Sequence, residues 1–157
     1  MALVDEFRSA RRSEEVARLR RLIALRAMVA TGMSQREIAT ALGISQPAVS
    51  QQLKAASDLS GTHPETLLEA AGPILRQVAE GRGYARLAAF GSVARRQVGP
   101  DSDIDLLVAA PEGTSSFSMI QFQQLLETIL GRTIDLISYG GLKPKRDDDI
   151  LRDAVLL

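Results

Sequence analysis

The 157-residue chain contains no cysteine and no tryptophan, and its only histidine is His63. Without cysteine there is no disulfide framework, no thiolate metal site and no cysteine nucleophile. A single histidine excludes any two-histidine metal site and leaves a Ser-His-Asp triad only one candidate base. No apolar run approaches the roughly 20 residues that a membrane-spanning helix needs. The opening MALVDEFRSARR turns charged at once and has no apolar signal core. These absences lead us to expect a cytoplasmic protein with no membrane association.

What is present is ordinary folding material: 45% hydrophobic and 24% charged residues, with a formal net charge of zero, a composition that excludes a disordered tail, a collagen or a coiled-coil rod. The zero conceals a split. Residues 1–60 carry nine basic against six acidic side chains, and the remainder carries ten against thirteen. A basic first part hints at nucleic-acid contact there. The turn-rich segment SDLSGTHP, Ser57 to Pro64, sits where the balance changes sign and reads as a linker between two units.

The first unit reads as all helix. Asp5 to about Ala30 has no Gly or Pro, and Val16, Leu19, Ile23, Ala27 and Ala30 recur at helical spacing. Ser34 and Glu37 form a capping-box pattern that opens a second helix, stopped at Gly43. Ser45 then caps a third helix, with Pro47 in its first turn, running to about Ala56. Ile38, Ala39, Leu42, Ile44, Val49 and Leu53 are the expected shared core of two helices crossing at a short turn. That leaves Gln46, Pro47, Ser50, Gln51 and Lys54 outward. Gln can pair bidentately with adenine, Ser can bond base edges or phosphate, and Lys neutralises phosphate. With the capping Ser45 they make the expected DNA-binding set. The stretch from Ser34 to Ala56 resembles the helix-turn-helix of bacterial transcriptional regulators. The resemblance implies a double-stranded operator as partner and a homodimer reading its two-fold symmetry.

The second unit alternates. Helical material from Pro64 to about Glu80, interrupted or kinked at Gly72-Pro73, precedes a strand from Ala85 to Phe90. A brief helix opens at Ser92, followed by a strand from Asp103 to Ala109 and a helix from Phe117 to Leu130. A strand from Thr133 to Ser138 and a last helix from about Arg146 to Leu156 complete the reading. The whole chain is therefore expected to be α+β: an all-α unit followed by a small α/β unit with a short mixed sheet.

Chemistry concentrates in FGSVARRQVGPDSDIDLLV, Phe90 to Val108. Asp103 and Asp105 are two apart on an expected strand, so both carboxylates leave one face. Two carboxylates at one buried end repel each other and are costly to desolvate without a cation. Mg²⁺ suits them, since it takes one or two carboxylates together with phosphate oxygens and water. Gly91-Ser92 joins a strand to a short helix, where free N–H groups can meet an anion, and Arg95 follows one turn later. A third acid, Asp135, lies between Ile134 and Leu136 in another strand, a costly place for an unpaired carboxylate. Asp101, Asp103, Asp105 and Glu112 also fall at calcium-loop spacings, but Leu106 stands where such a loop requires glycine. Asp147, Asp148 and Asp149 read as a helix N-terminus favoured by the macrodipole.

Gly-Ser, ten residues, then Asp-x-Asp, with a later strand acid, resembles the minimal nucleotidyltransferases of the polymerase-β-like superfamily. Gly91, Ser92, Asp103, Asp105 and Asp135 match that pattern over about Pro73 to Leu157, and Arg96 departs from it, standing where many relatives have glycine. The resemblance implies a helix-turn-helix domain at 1–60 fused to a minimal nucleotidyltransferase domain at 61–157. It implies that Gly91 and Ser92, with Arg95, hold the nucleotide phosphates. Asp103, Asp105 and Asp135 would bind Mg²⁺, and Asp135 would activate the acceptor hydroxyl. The implied reaction is in-line transfer of a nucleoside monophosphate from an NTP, with ATP expected, to a protein hydroxyl. Similar proteins act as antitoxins that modify a HEPN-type toxin, which makes such a toxin the implied partner. The competing reading is a DNA-binding repressor whose second unit senses nucleotide or clamps a partner without turnover.

Overall fold

The computed structural model describes residues 1–95, 99 and 102–157. The elements run α1 (Ala2–Ala30), α2 (Gln35–Leu42), α3 (Gln46–Ala55), α4 (Pro64–Gly81), β1 (Ala85–Phe90) and α5 (Gly91–Ala94). They continue with β2 (Ile104–Ala109), α6 (Ser116–Leu130), β3 (Ile134–Ser138), α7 (Asp148–Asp153) and β4 (Val155–Leu156). The architecture is the expected α+β one, with a helical first part and a four-stranded mixed sheet ordered β3-β2-β1-β4.

The helix α1 is the spine of the molecule. Its Val16, Leu19, Ile23 and Ala27 enter the main core with Leu67, Leu68, Ala71 and Leu75 of α4 and with Phe122, Leu126 and Ile129 of α6. Leu25 and Met28, on a different face, pack instead on Ile38, Ala39 and Val49 of the α2–α3 pair. One helix therefore supplies side chains to both cores. The ends of two further helices are tied to it by Arg26. Its guanidinium donates to the carbonyl of Ala56 after α3 and to Thr128 and Ile129 at the end of α6, each at 2.7 Å.

The α2–α3 pair obeys its sequence signals closely. The Ser34 hydroxyl accepts from the Glu37 amide while the Glu37 carboxylate accepts from the Ser34 amide. Gly43 closes α2 in the left-handed region at φ +67°, where a Cβ is strained. Ser45 caps α3 by accepting from the Ala48 amide. Two expected core residues are not in it: Leu42 and Ile44 are exposed, whereas Leu53 packs partly on the cluster. The reason is the left-handed turn at Gly43, which flanks both, and the supply of Leu25, Met28 and Met33 from the α1 side, which fills the space instead.

Helix α4 is continuous through Gly72-Pro73, where the sequence predicts a break or kink. A proline inside a helix leaves the carbonyl four residues back without a donor. That carbonyl is Glu69, and Arg20 of α1 supplies the missing hydrogen bond through Nη2 at 3.1 Å, with Nε on the Ala70 carbonyl at 3.0 Å. His63, with no role evident from sequence, caps this helix by accepting from the Glu65 amide through Nδ1.

The C-terminal end also differs from expectation. Instead of helix to Leu156, α7 ends at Asp153 and the chain turns into β4, pairing antiparallel with β1 at Ala88↔Leu156 and Ala89↔Val155. The free edge of β1 offers unpaired backbone groups, and Leu157 extends the ladder by donating to the Leu87 carbonyl at 3.0 Å. The sheet is covered on one side by α1, α4 and α6. Its other side, around Ala88, Phe90 and Leu107, meets Ile137, Tyr139, Leu142, and Ile150 and Ala154 of the α7 segment.

Candidate functional site

Strand β2 separates its side chains by alternation. Ile104, Leu106 and Val108 are fully buried in the main core, while Leu107 joins the α7 side of the sheet. Asp105 therefore belongs to the α7 side. Strand β3 lies parallel to β2 with Asp105↔Asp135 directly in register. Neighbouring residues in register project from the same face, so the two carboxylates stand side by side. Asp103 sits one residue before the observed start of β2, not within it as expected.

The electrostatics express this proximity. Asp105 is half-buried, and its carboxyl is pushed above the usual range, first by burial and then by the Asp135 and Asp103 carboxylates, with Arg95 opposing. Asp103 and Asp135 are exposed. None of the three makes a hydrogen bond or ion pair among the described residues. Nor, among those residues, do any three His, Cys, Asp or Glu side chains converge closely enough to enclose an ion. A half-buried, unpaired carboxylate beside two others is a donor set that favours a hard divalent cation.

Strand β1 pairs Phe90 with Asp105 and then turns sharply. Gly91 has φ +70°, and a Cβ built there would lie 2.4 Å from Oδ2 of Asp105 and 3.3 Å from its Cγ. Only glycine fits, for conformation and for space. The turn opens α5, whose first N–H groups, Gly91, Ser92 and Val93, have no intrahelical acceptor. Arg95 ends that helix, its amide donating to the Gly91 carbonyl at 3.1 Å. Its guanidinium Nη1 donates to Asp153 Oδ2 at 3.0 Å. Gly91, Ser92, Arg95, Asp103, Asp105 and Asp135 thus meet at one end of the sheet, where β1 finishes and β2 and β3 begin. Arg96 and Asp101 lie outside the described residues.

The nucleotidyltransferase domain family matches residues 74–157, more than half of the chain. The chain belongs to the nucleotidyltransferase family. It is 38% identical over 73 residues, 46% of this chain and 78% of the other, to a protein of Methanocaldococcus jannaschii assigned as a protein adenylyltransferase. It is 32% identical over 80 residues, 51% of this chain and 81% of the other, to the protein adenylyltransferase MntA of Thermococcus cleftensis. A solved structure assigned as a minimal nucleotidyltransferase shares 34% identity at a TM-score of 0.55, covering 61% of this chain and 98% of that one. Residues 15–63 match a homeodomain-like domain, an architecture that presents one helix to DNA.

On that first part, Gln46, Pro47, Gln51 and Lys54 of α3 are exposed and Ser50 is half-exposed. Ser45 is exposed as well, with its hydroxyl engaged in the helix cap. No helix among the described residues is long and apolar enough to cross a membrane. Sequence reasoning missed Asp153, which it placed in a terminal helix without a role. Its signal would have been spatial only, because it is distant in sequence from Arg95.

Proposed function

We propose that this nucleotidyltransferase is a Mg²⁺-dependent protein adenylyltransferase carried by a DNA-binding repressor, with functional halves at 1–60 and 61–157. The observation that carries the catalytic reading is the in-register pair Asp105↔Asp135, with Asp105 set against the Gly91 turn. In this reading Asp103, Asp105 and Asp135 hold Mg²⁺, which would neutralise phosphate charge and polarise the transferring phosphoryl group. The N–H groups of Gly91 and Ser92 and the Arg95 guanidinium bind the ATP phosphates. Asp135, the more open acid of the strand pair, accepts the proton of the acceptor hydroxyl. The acceptor oxygen then bonds to the α-phosphorus, the bond to the bridging oxygen breaks, and pyrophosphate leaves with the displaced electron pair.

The relatives described as protein adenylyltransferases support a protein hydroxyl as acceptor, and a HEPN-type toxin encoded alongside is the proposed target. The helix-turn-helix, acting as a homodimer in the cytoplasm, would repress the shared operon. Its contacts would be Ser45, Gln46, Pro47, Ser50, Gln51 and Lys54. The test combines ATP labelled at the α-phosphate, Mg²⁺ and the product of the neighbouring reading frame. Label should pass to that product, and Asp103→Ala or Asp105→Ala should lower the rate at least about 100-fold. DNA chosen from a random pool should still bind both variants and should lose affinity for Gln51→Ala or Lys54→Ala. A wild-type chain that binds the selected DNA but transfers no nucleotide from any NTP would leave only the repressor.

A further inference from the structure

Arg95 stands between two acids, Asp153 of α7 and Asp105 of β2. Arg95 leaves the short helix that opens at Gly91, its cationic field reaches Asp105, and Asp103 and Asp135 stand beside that carboxylate. A guanidinium in such company has an obvious place to go: into the three-aspartate group, as a substitute for the cation proposed there. It does not go there. Nη1 is bonded to Asp153 Oδ2 at 3.0 Å, from α7 on the same side of the sheet. Asp153 is a quarter exposed and Arg95 about half. A guanidinium has five N–H donors in a fixed fork, and Nη1 is the only Arg95 side-chain nitrogen engaged among the described residues. Among the described residues the rest of the fork has no hydrogen-bond partner.

We propose that Asp153 is a positioning residue that keeps Arg95 out of the aspartate group and holds its open donors for the phosphates of the nucleotide. The proposal rests on the catalytic reading above and adds to it a role for α7. Helix α7 is itself fixed by the strand after it, because β4 pairs with β1 immediately beyond Asp153 and Ala154. The last strand of the sheet therefore sets the height at which Asp153 meets Arg95. Loss of the Asp153 carboxylate leaves Arg95 to the competing carboxylates, with two consequences. The phosphates lose a held partner, and the divalent cation meets a resident competitor.

Equilibrium binding of a fluorescent ATP analogue over a range of Mg²⁺ concentrations separates this role from simple support of the fold. Asp153→Ala should weaken nucleotide binding and raise the half-saturating Mg²⁺ about 2- to 5-fold, the scale of one partly exposed ion pair. Asp153→Glu should recover most of both. In the Arg95→Ala background the same change should have no further effect, since the two side chains act as one unit. Equal losses with and without Arg95, or no shift in Mg²⁺ dependence in a folded variant, would overturn the proposal. If Asp153→Ala does not fold, Asp153→Asn, which keeps the volume but lacks the charge, carries the same comparison. Failure of the wild-type chain to bind the analogue at any Mg²⁺ concentration would instead strike the catalytic reading and this proposal together.

Discussion

At Gly91 a single hydrogen in place of a methyl group decides whether the strand turn and Asp105 can coexist. A Cβ there would sit 2.4 Å from Oδ2 of Asp105, and the backbone is already at φ +70°. Gly91→Ala should therefore displace the carboxylate and strain the turn. We expect a loss of about 1–3 kcal/mol in urea unfolding, together with loss of nucleotide binding. Asp105 adds a pH effect. Its folded-state pKa is raised, so over the interval between the ordinary carboxylate value and the raised one the folded chain holds the extra proton. Stability from this group is thus full at acid pH and falls as pH rises through that interval. Asp105→Asn removes the penalty and should stabilise the metal-free protein at neutral pH. Solvent at this half-open site screens the effect and keeps it under about 1 kcal/mol. A flatter pH dependence of the melting temperature in the variant, with the gain disappearing in acid, is the readout.

At the scale of elements, helix α4 shows how a neighbour overrides a local rule. Pro73 should kink it, and Arg20 from α1 bonds the carbonyl that proline leaves without a donor. Arg20→Ala should cost about 1–3 kcal/mol. In a Pro73→Ala background, where the helix makes that bond itself, the cost should be clearly smaller, and a double-mutant cycle measures the difference. Much of the rest was legible in one dimension. The capping box at Ser34 and Glu37, the left-handed stop at Gly43 and the strand positions of Asp105 and Asp135 all rest on signals confined to a few residues. What escaped depends on contacts distant in sequence. Leu42 and Ile44 fit a two-helix core by spacing, but α1 supplies Leu25 and Met28 in their place. Val155 and Leu156 continue a helical pattern, but an open edge of β1 draws them into a ladder. Asp153 acquires meaning only beside Arg95, 58 residues away.

For the whole molecule, the decisive fact is that α1 belongs to both cores. Ile23 is completely buried in the main core, and Leu25, two residues on, is almost as deeply buried in the other. We expect one calorimetric transition, with enthalpy matching its van't Hoff value, in place of two. Ile23→Ala should lower the stability of the whole by about 2–5 kcal/mol. Arg26 is the polar counterpart of this sharing. Burial lowers its pKa, and its three bonds reach the ends of α3 and α6 from one guanidinium. Arg26→Ala strips a charged partner from three carbonyls and should cost about 2–4 kcal/mol, read as an earlier and broader melt.

A reader of DNA joined to an enzyme by a slack tether can be swapped for another by recombination, since neither piece depends on the other for its interior. Here a crossover between Thr31 and Ser34 would move the helix pair but strand the apolar face of α1 that received it, and a crossover at Ser57 would carry off Val16, Leu19, Ile23 and Ala27 from the enzyme's own interior. Descent should therefore keep the two parts together, so that changes in α1 are answered by changes on both sides of it.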